Sequence, residues 1–375
     1  RASVNAGETK YNAPGVWVAL GANIDLAGTT WTKAIGDGHE WSFDGNFDGK
    51  GFAIKNLNVV PYADDADYVC GGLFGYLWGN VTIRNLVIEN VTIDASAVTG
   101  EAFNVGIVAG FAYKANLTIS NVTVKGDVVV NAANVYGVGG ILGYGSLSAV
   151  TMNKCVIDAN AGSYIKGHSF VGGIAGYSDA NATYTNCSVA GVDIIATSYS
   201  AGGIVGLALE NNTVSGCAVA SDVTVSGQAN VANVVGAMAC DTVVVENTTA
   251  AAPIVGGLYE DSAPVQAVIG NVYYASFEDA FAALNDGETI TLLSDVVLSE
   301  ALINTKTVVL DLNGKTITGT DNNTTGNFYL INNNKGNLTI TDGAGGGKIA
   351  LTATNERNWN ASSVVVANHP GTVTP

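Results

Sequence analysis

The first candidate for chemistry is a short run of oxygen-bearing side chains near the start of the chain. Asp44, Asn46 and Asp48, followed by Gly49, have the spacing of the first half of an EF-hand calcium loop. The twelfth position of such a loop needs a bidentate glutamate, and this sequence has Lys55 there. We therefore expect a glycine-rich turn that leads into a repeat region. Calcium is the one cofactor for which the sequence offers candidate ligands.

The acidic and basic residues show no spacing that is typical of a catalytic site. The densest acidic group is Asp64, Asp65 and Asp67, in an expected loop, and glycosidases need two carboxylates about 5 to 10 Å apart across a groove. Lyases need a base beside a cation, whereas Arg84 and Lys154 have no charged partner evident in the sequence. The histidines are scattered, and neither HExxH nor GxSxG occurs. We predict no catalytic residues.

The cysteines do not have the spacing of a zinc site. There are five of them, an odd number, and none forms a CxxC pair. Cys155, Cys187 and Cys217 occupy the same position in three successive repeats. Such a column could form one disulfide or a soft-metal site, but we expect small buried hydrophobic side chains.

Aromatic side chains are the best binding candidates, and they recur in two columns. The first column contains Tyr76, Phe111, Tyr144 and Tyr177. The second, eight residues earlier in its repeats, contains Tyr68, Phe103, Tyr136 and Tyr199. Rows of rings suit sugars and protein surfaces, but stacked rings also stabilise neighbouring strands. We favour stabilisation for the first column and leave both roles open for the second.

A repeat of the form Gly-Gly-aliphatic-x-Gly holds these columns in place. Its closing glycines are Gly75, Gly110, Gly143, Gly176, Gly206 and Gly236, so the period is 30 to 35 residues. The column before the glycine pair is uniformly apolar and should face a core: Cys70, Val105, Val138, Val171, Ala201 and Val231. About seven such repeats predict a stack of similar coils.

A second landmark follows each closing glycine by ten or eleven residues. This corner column consists of Asn85, Asn121, Lys154, Asn186, Gly216 and Asn247, and we place Asn56 at its start. Asparagine and glycine tolerate the left-handed backbone that a sharp β-arc requires. With three short strands per repeat, the sequence predicts an all-β, right-handed parallel β-helix whose coils stack at about 4.8 Å.

The pattern changes near residue 270. Ser276 is a good N-cap, and an apolar face predicts one short helix over 276–285, which ends near Gly287. Strands then resume. We therefore expect a β-helix over 1–265 and a helix-capped, truncated second β-helical unit over 270–375. Alternatively, the helix caps the first solenoid and the rest packs beside it.

Composition narrows the partners and the location. The formal net charge is −17 and no Lys/Arg cluster occurs, so we predict that nucleic acid is not a partner. No apolar run approaches the roughly 20 residues that span a bilayer. Only 13% of residues are charged, and abundant Asn and Thr favour an extracellular protein. The abrupt ends suggest part of a longer chain or assembly.

The Gly-Gly-aliphatic-x-Gly-Tyr unit resembles the GLUG motif of bacterial surface proteins, including those of gut Bacteroidetes and immunoglobulin A protease-associated regions. The lead-in also matches, in residues 24–28, 31–36 and 43–51, and the resemblance covers about residues 17–250. Residues 272–350 resemble the start of pectin-lyase-like β-helices. The resemblance implies a cell-surface location and adhesion or scaffolding, and it supplies no catalytic residues.

Together these observations predict an extracellular surface adhesin or structural scaffold. It would present loops and an aromatic-lined face to host or bacterial glycans or surface proteins. One alternative is a polysaccharide-active lyase or glycosidase. Another is a structural component of a phage tail or filament.

Overall fold

A computed structural model describes residues 1–61, 69–98, 103–323, 325–354, 362–369 and 372–374, without the side chains of Val69 and Phe103. The chain divides into two compact units, Arg1–Ala263 and Pro264–Pro375.

The described residues of the first unit form one short helix, Ala2–Asn5, and many β-strands joined by turns. Its strands up to residue 132 are Trp17–Ala19, Ile24–Asp25, Thr30–Trp31, Asn46–Asp48, Ala53–Val59, Val69–Gly71, Phe74–Asp94, Phe103–Gly106 and Ala109–Ala132. The next are Gly137–Gly139, Leu142–Ser146, Ala149–Gly167, Val171–Gly172, Ala175–Ser178, Ala182–Thr185, Ser188–Ala196 and Ala201–Gly202. The last are Val205–Ala208, Asn212–Ser215, Ala218–Val219, Thr224–Ser226, Val231–Ala232, Val235–Met238, Thr242–Glu246 and Val255–Leu258.

Successive repeats stack as parallel coils. The outward-facing threonines of one strand position lie opposite one another from coil to coil: Thr82, Thr118, Thr151, Thr183 and Thr213. Inward neighbours such as Ile83 and Ile119 are fully buried, as strand alternation requires. The predicted all-β parallel solenoid is therefore confirmed.

A coil of the first unit bends more often than a three-stranded coil would. Residues 205–232, for example, form five strands: Val205–Ala208, Asn212–Ser215, Ala218–Val219, Thr224–Ser226 and Val231–Ala232. Left-handed residues mark several of these bends, Gly216 and Asn230 in this coil and Asn85 and Asn90 in an earlier one. The first unit thus departs from the three strands per coil that we expected.

The glycine motif exists because backbones approach each other closely there. A Cβ on Gly172 would lie 1.8 Å from the carbonyl oxygen of Ala175. On Gly173 it would lie 2.2 Å from that of Gly203, and on Gly176 2.4 Å from that of Gly143. The carbonyl of Ala175 belongs to the same coil, that of Gly203 to the next coil and that of Gly143 to the previous coil. The motif therefore lets the short strand before it cross the strand after it without a steric clash.

The corner column is observed where the sequence placed it, except at its start. Its six residues from position 85 onward all have φ between 49° and 62°: Asn85, Asn121, Lys154, Asn186, Gly216 and Asn247. Amides also bond along the axis, since Asn121 Nδ2 donates to Asn85 Oδ1 at 3.3 Å. The placement of Asn56 in this column was wrong. Its strand pairs Lys55 with Glu89 and Leu57 with Val91, so Asn56 lies opposite Asn90 at the second corner.

The apolar column before the glycines also differs in its first member. Val105, Val138, Val171, Ala201 and Val231 face one another in register as predicted. Cys70, however, lies opposite Asn104, and Gly71 lies opposite Val105. The one-residue shift moves Cys70 out of that column and against Tyr76 and Phe111.

The second unit contains a helix, Phe277–Ala283, and coils of three strands. Its strands are Ala267–Ile269, Val272–Tyr274, Thr289–Leu292, Val296–Leu298, Leu302–Asn304, Thr307–Asp311, Thr316–Asp321, Phe328–Asn334, Asn337–Thr341, Lys348–Ala353, Ser363–His369 and Thr372–Thr374. Ser276 caps the helix by accepting a hydrogen bond from Asp279 N at 3.2 Å, as predicted. Phe277 and Phe281 pack into the core of this unit.

Stacked asparagines form a corner of the second unit as well. Asn304 Nδ2 donates to Asn333 Oδ1 at 2.7 Å, and Asn333 Nδ2 donates to Asn368 Oδ1 at 2.8 Å. Asn304 and Asn333 are buried, so this ladder satisfies amides that would otherwise be costly to bury. Across the described residues, no helix is long and apolar enough to span a membrane.

Candidate functional site

The first aromatic column lies in register across four coils, but its two ends have different environments. Tyr76 and Phe111 are buried beneath Cys70, with ring centroids 5.0 Å apart. Tyr144 and Tyr177 are half-buried and stack face to face, with centroids 3.8 Å apart and planes 12° apart. Only the second pair therefore offers ring surface to a ligand.

The second column is described only in part. Tyr68 lies outside the described residues, and for Phe103 only the backbone is described. Tyr136 and Tyr199 are half-buried, and the ring of Tyr136 lies 4.7 Å from that of His168. Both residues of this column whose side chains are described, Tyr136 and Tyr199, therefore reach the surface.

Phe170 joins the two columns, a role that spacing alone did not reveal. Its ring centroid is 5.2 Å from that of Tyr177 and 6.2 Å from that of Tyr199. Its φ is +54°, an unfavourable value for a bulky residue. The backbone there is held in a strained conformation by the surrounding coils, and this places the ring between the columns.

Two further aromatic residues were missed by the sequence analysis. Trp78 and Tyr113 follow Tyr76 and Phe111 by two residues, so strand alternation puts them on the same face. They are half-buried and opposite each other, with centroids 5.3 Å apart. Lys114 Nζ lies 5.1 Å from the Tyr113 ring centroid and adds a cation–π contact. The period-two spacing was the signal that could have found them.

We call the half-buried rings on this surface the aromatic strip. Its members are Trp78, Tyr113, Tyr144, Tyr177, Tyr136 and Tyr199. Ring-to-ring contacts run from Trp78 through Tyr113, Phe111 and Tyr144 to Tyr177, and then through Phe170 to Tyr136 and Tyr199. Most of these contacts join rings of neighbouring coils, whereas Phe111 with Tyr113 and Phe170 with Tyr177 come from the same coil. The coil spacing and the path of each coil therefore both set the ring positions.

Polar contacts hold the rings of the strip. Tyr144 OH donates to Asp179 Oδ2 at 2.6 Å. Tyr199 OH donates to the carbonyl oxygen of Tyr259 and accepts from Asn230 Nδ2 at 3.1 Å. With their hydroxyls fixed and their rings packed on neighbours, Tyr144 and Tyr199 are preorganised, which lowers the entropy cost of binding a ligand.

The run from Asp44 to Asp48 is engaged with protein donors. Asp48 Oδ2 accepts from Arg84 Nε at 2.9 Å, and Asn46 Oδ1 accepts from Thr82 N at 2.8 Å. Asp44 Oδ1 accepts from Ser42 Oγ at 2.7 Å, and desolvation raises the pKa of Asp44. Asn46 and Asp48 thereby tie an early coil to the next one.

The remaining charged candidates are dispersed. Asp64, Asp65 and Asp67 lie outside the described residues. Arg84 packs over the exposed ring of Trp17, 4.2 Å from its centroid, in addition to its pairing with Asp48. In the described part of the chain, no group of three or more His, Cys, Asp or Glu residues is arranged to hold a metal ion.

The cysteine column forms a ladder of weak hydrogen bonds rather than disulfides. Cys155, Cys187 and Cys217 are free and buried. Each thiol donates to a backbone carbonyl of the preceding coil, for example Cys217 Sγ to Tyr184 O at 3.4 Å. Its interaction with Cys155 and its burial together raise the pKa of Cys187 to about 12, so its reactive thiolate form is scarce. The column therefore behaves as small core side chains.

No family model matches the chain. A stretch of 150 residues, 38% of the chain, is 33% identical to halomucin from Haloquadratum walsbyi and spans 2% of that protein's length. Among solved structures, a candidate immunoglobulin A1 protease from Bacteroides ovatus is 22% identical, with a TM-score of 0.48 over 66% of this chain and 76% of that chain. The resemblance to GLUG-motif proteins therefore stays a prediction.

Proposed function

We propose that the chain is an extracellular scaffold module that presents the aromatic strip to glycans or surface proteins. The observation that carries this proposal is the row of half-exposed rings, which several neighbouring coils contribute. A rigid array of flat apolar faces edged by hydroxyls suits the alternating apolar and polar surfaces of sugar rings. Such a site binds by surface complementarity and needs no reacting group.

The rest of the first unit supports a scaffold role. The recurring glycines, corner residues and cysteines are explained by close backbone approach, left-handed corners and core packing. The whole chain is strongly acidic, with a net charge of −17, which favours neutral or basic partners. The similarity of 150 residues to halomucin is compatible with a place in a surface protein.

The test is a glycan array followed by titration of the best ligand against two strip variants. Tyr177→Leu and Tyr144→Leu suit this purpose because Leu207 already occupies the same column in the next coil, so the solenoid accepts leucine there. Loss of a ring contact should weaken binding about twofold to twelvefold. Tyr164→Leu, which alters a half-buried tyrosine outside the strip, should bind like the unmodified chain.

Two results would contradict the proposal. One is the absence of binding to any glycan or surface protein. The other is equal affinity in the strip variants and the unmodified chain. A reducing-sugar assay and an unsaturated-product assay on the same glycans test the enzyme alternative, and turnover would replace the scaffold proposal with a catalytic one.

A further inference from the structure

A polar groove lies on another part of the first unit, and no function has so far been attached to it. Its volume is about 600 Å³, within the usual range of small-molecule sites. It spans the strands that contain Thr30, Asn58 and Thr92, which lie opposite one another in three successive coils. Three left-handed residues, Gly79, Asn85 and Asn90, separate Thr92 from Trp78 of the aromatic strip along its coil.

Two rows of polar side chains line the groove along the solenoid axis. In the first row, Asn58 Nδ2 donates to Thr30 Oγ1 at 3.2 Å, and Thr92 continues the row as an exposed residue. In the second row, Asn90 Nδ2 donates to Asn56 Oδ1 at 3.4 Å. Hydroxyl and amide groups therefore line the groove at regular intervals, repeated at the coil spacing of about 4.8 Å.

Asp127 lies at the end of the second row, where its backbone N–H donates to Asn90 Oδ1 at 3.1 Å. One of its carboxylate oxygens accepts from Asn160 Nδ2 at 2.7 Å. Among the described residues that line the groove, none is aromatic or cationic. A carboxylate without a balancing cation disfavours anionic ligands, and the amides and hydroxyls favour a ligand that both donates and accepts hydrogen bonds.

We propose that this groove is a second binding site, which takes a neutral disaccharide unit of a glycan. Three coils span about 10 Å along the axis, room for two sugar rings. The hydroxyls of Thr30 and Thr92 and the amide of Asn58 would bond sugar hydroxyls, and Asp127 would accept from a hydroxyl at one end. Recognition here is by hydrogen bonds, unlike recognition at the strip.

The consequence is a module with two chemically different sites on one rigid body. Hydrogen bonds to neutral groups contribute little net free energy each, so the groove alone should bind weakly. A glycan surface that engages both sites would be held more tightly, because the second contact forms within the complex.

The experiment is an NMR titration of the ¹⁵N-labelled full chain with four sugars. These are cellobiose, lactose, N,N′-diacetylchitobiose and the anionic digalacturonate. We expect at least one neutral disaccharide to shift the amide signals of Asn58, Thr92 and Asp127, and digalacturonate to leave them unmoved. Thr92→Val should weaken binding about fivefold, since it removes one hydroxyl and keeps the shape. Thr118→Val, the same change on a neighbouring face, should leave the affinity within about twofold.

The groove inference fails if no neutral disaccharide shifts these signals, if Thr92→Val binds like the unmodified chain, or if Thr118→Val is affected equally. The groove proposal can also be refuted independently of the proposal for the aromatic strip. Loss of glycan binding in Tyr177→Leu but not in Thr92→Val would overturn the groove and keep the strip. The opposite pattern would overturn the strip and keep the groove.

Discussion

Replacing Gly176 with alanine should destabilise the first unit strongly. The new Cβ would lie 2.4 Å from the carbonyl oxygen of Gly143 and 2.7 Å from the backbone nitrogen of Val138. A carbon and a carbonyl oxygen normally approach no closer than about 3.3 Å, so the crossing backbones must separate by about 0.9 Å. Overpacking of a well-packed interior costs about 1–3 kcal/mol. Because the atoms that must move here are backbone atoms paired with both neighbouring coils, we expect about 3 kcal/mol or more.

Urea denaturation measured by tryptophan fluorescence suits this test, since Trp17, Trp31, Trp41 and Trp78 all lie in the first unit. With a urea dependence of about 3 kcal/mol per molar, a loss of about 3 kcal/mol lowers the midpoint by about 1 M. Gly21→Ala is the matched control, because nothing lies within 4 Å of its added Cβ. A Gly176→Ala midpoint within about 0.2 M of the unmodified chain would refute the close-approach explanation of the motif.

Three further predictions concern single side chains. Asn186 has φ 54°, so Asn186→Ala should cost about 1–2 kcal/mol and Asn186→Gly much less; equal urea midpoints would contradict this. The Cys187 thiol, whose pKa the hydrogen bond with Cys155 helps raise to about 12, should resist iodoacetamide at pH 8 until the chain unfolds; mass-spectrometric labelling of the folded chain would contradict this. Desolvation raises the pKa of Asp48, but hydrogen bonds, led by the backbone N–H of Lys50, lower it more strongly. Its stabilising effect is therefore present above the unfolded-state pKa of about 3.9 and is lost as the pH falls through the lowered folded value. Asp48→Asn should thus melt lower at pH 7 and approach the unmodified chain as the pH falls below that folded value. A pH-independent difference would contradict the linkage.

Sequence reasoning located the corners well because a left-handed backbone demands particular residue types. Asn121 and Asn186 are of a residue type that tolerates the left-handed conformation. The regular period predicts the same conformation at Lys154, whose residue type alone would not predict it. The same reasoning misplaced Asn56, because two corners of one coil use the same residue type. Which of the two an asparagine belongs to depends on strand pairing, and pairing is set by neighbouring coils.

The candidate site was only partly predictable for a related reason. Column spacing reveals which rings lie above one another, but it does not reveal what packs beside them. Tyr76 is buried by Cys70, which a one-residue shift brings against it, whereas Tyr144 remains half-exposed. Phe170 joins the columns only because its backbone adopts a left-handed conformation that its residue type disfavours. Lateral contacts of this kind become visible only in three dimensions.

The central claim is that successive repeats stack as parallel coils in the described register, and disulfide trapping tests it most directly. Thr151 and Thr183 lie opposite each other on the outer face of adjacent coils. Their separation of about 4.8 Å suits a disulfide, whereas Thr151 and Thr185 are about 8 Å apart, beyond disulfide reach. The account predicts that the chain with Thr151→Cys and Thr183→Cys forms the new disulfide on mild oxidation, and that the chain with Thr151→Cys and Thr185→Cys does not. Efficient cross-linking of the offset pair, or failure of the opposed pair, would contradict the account.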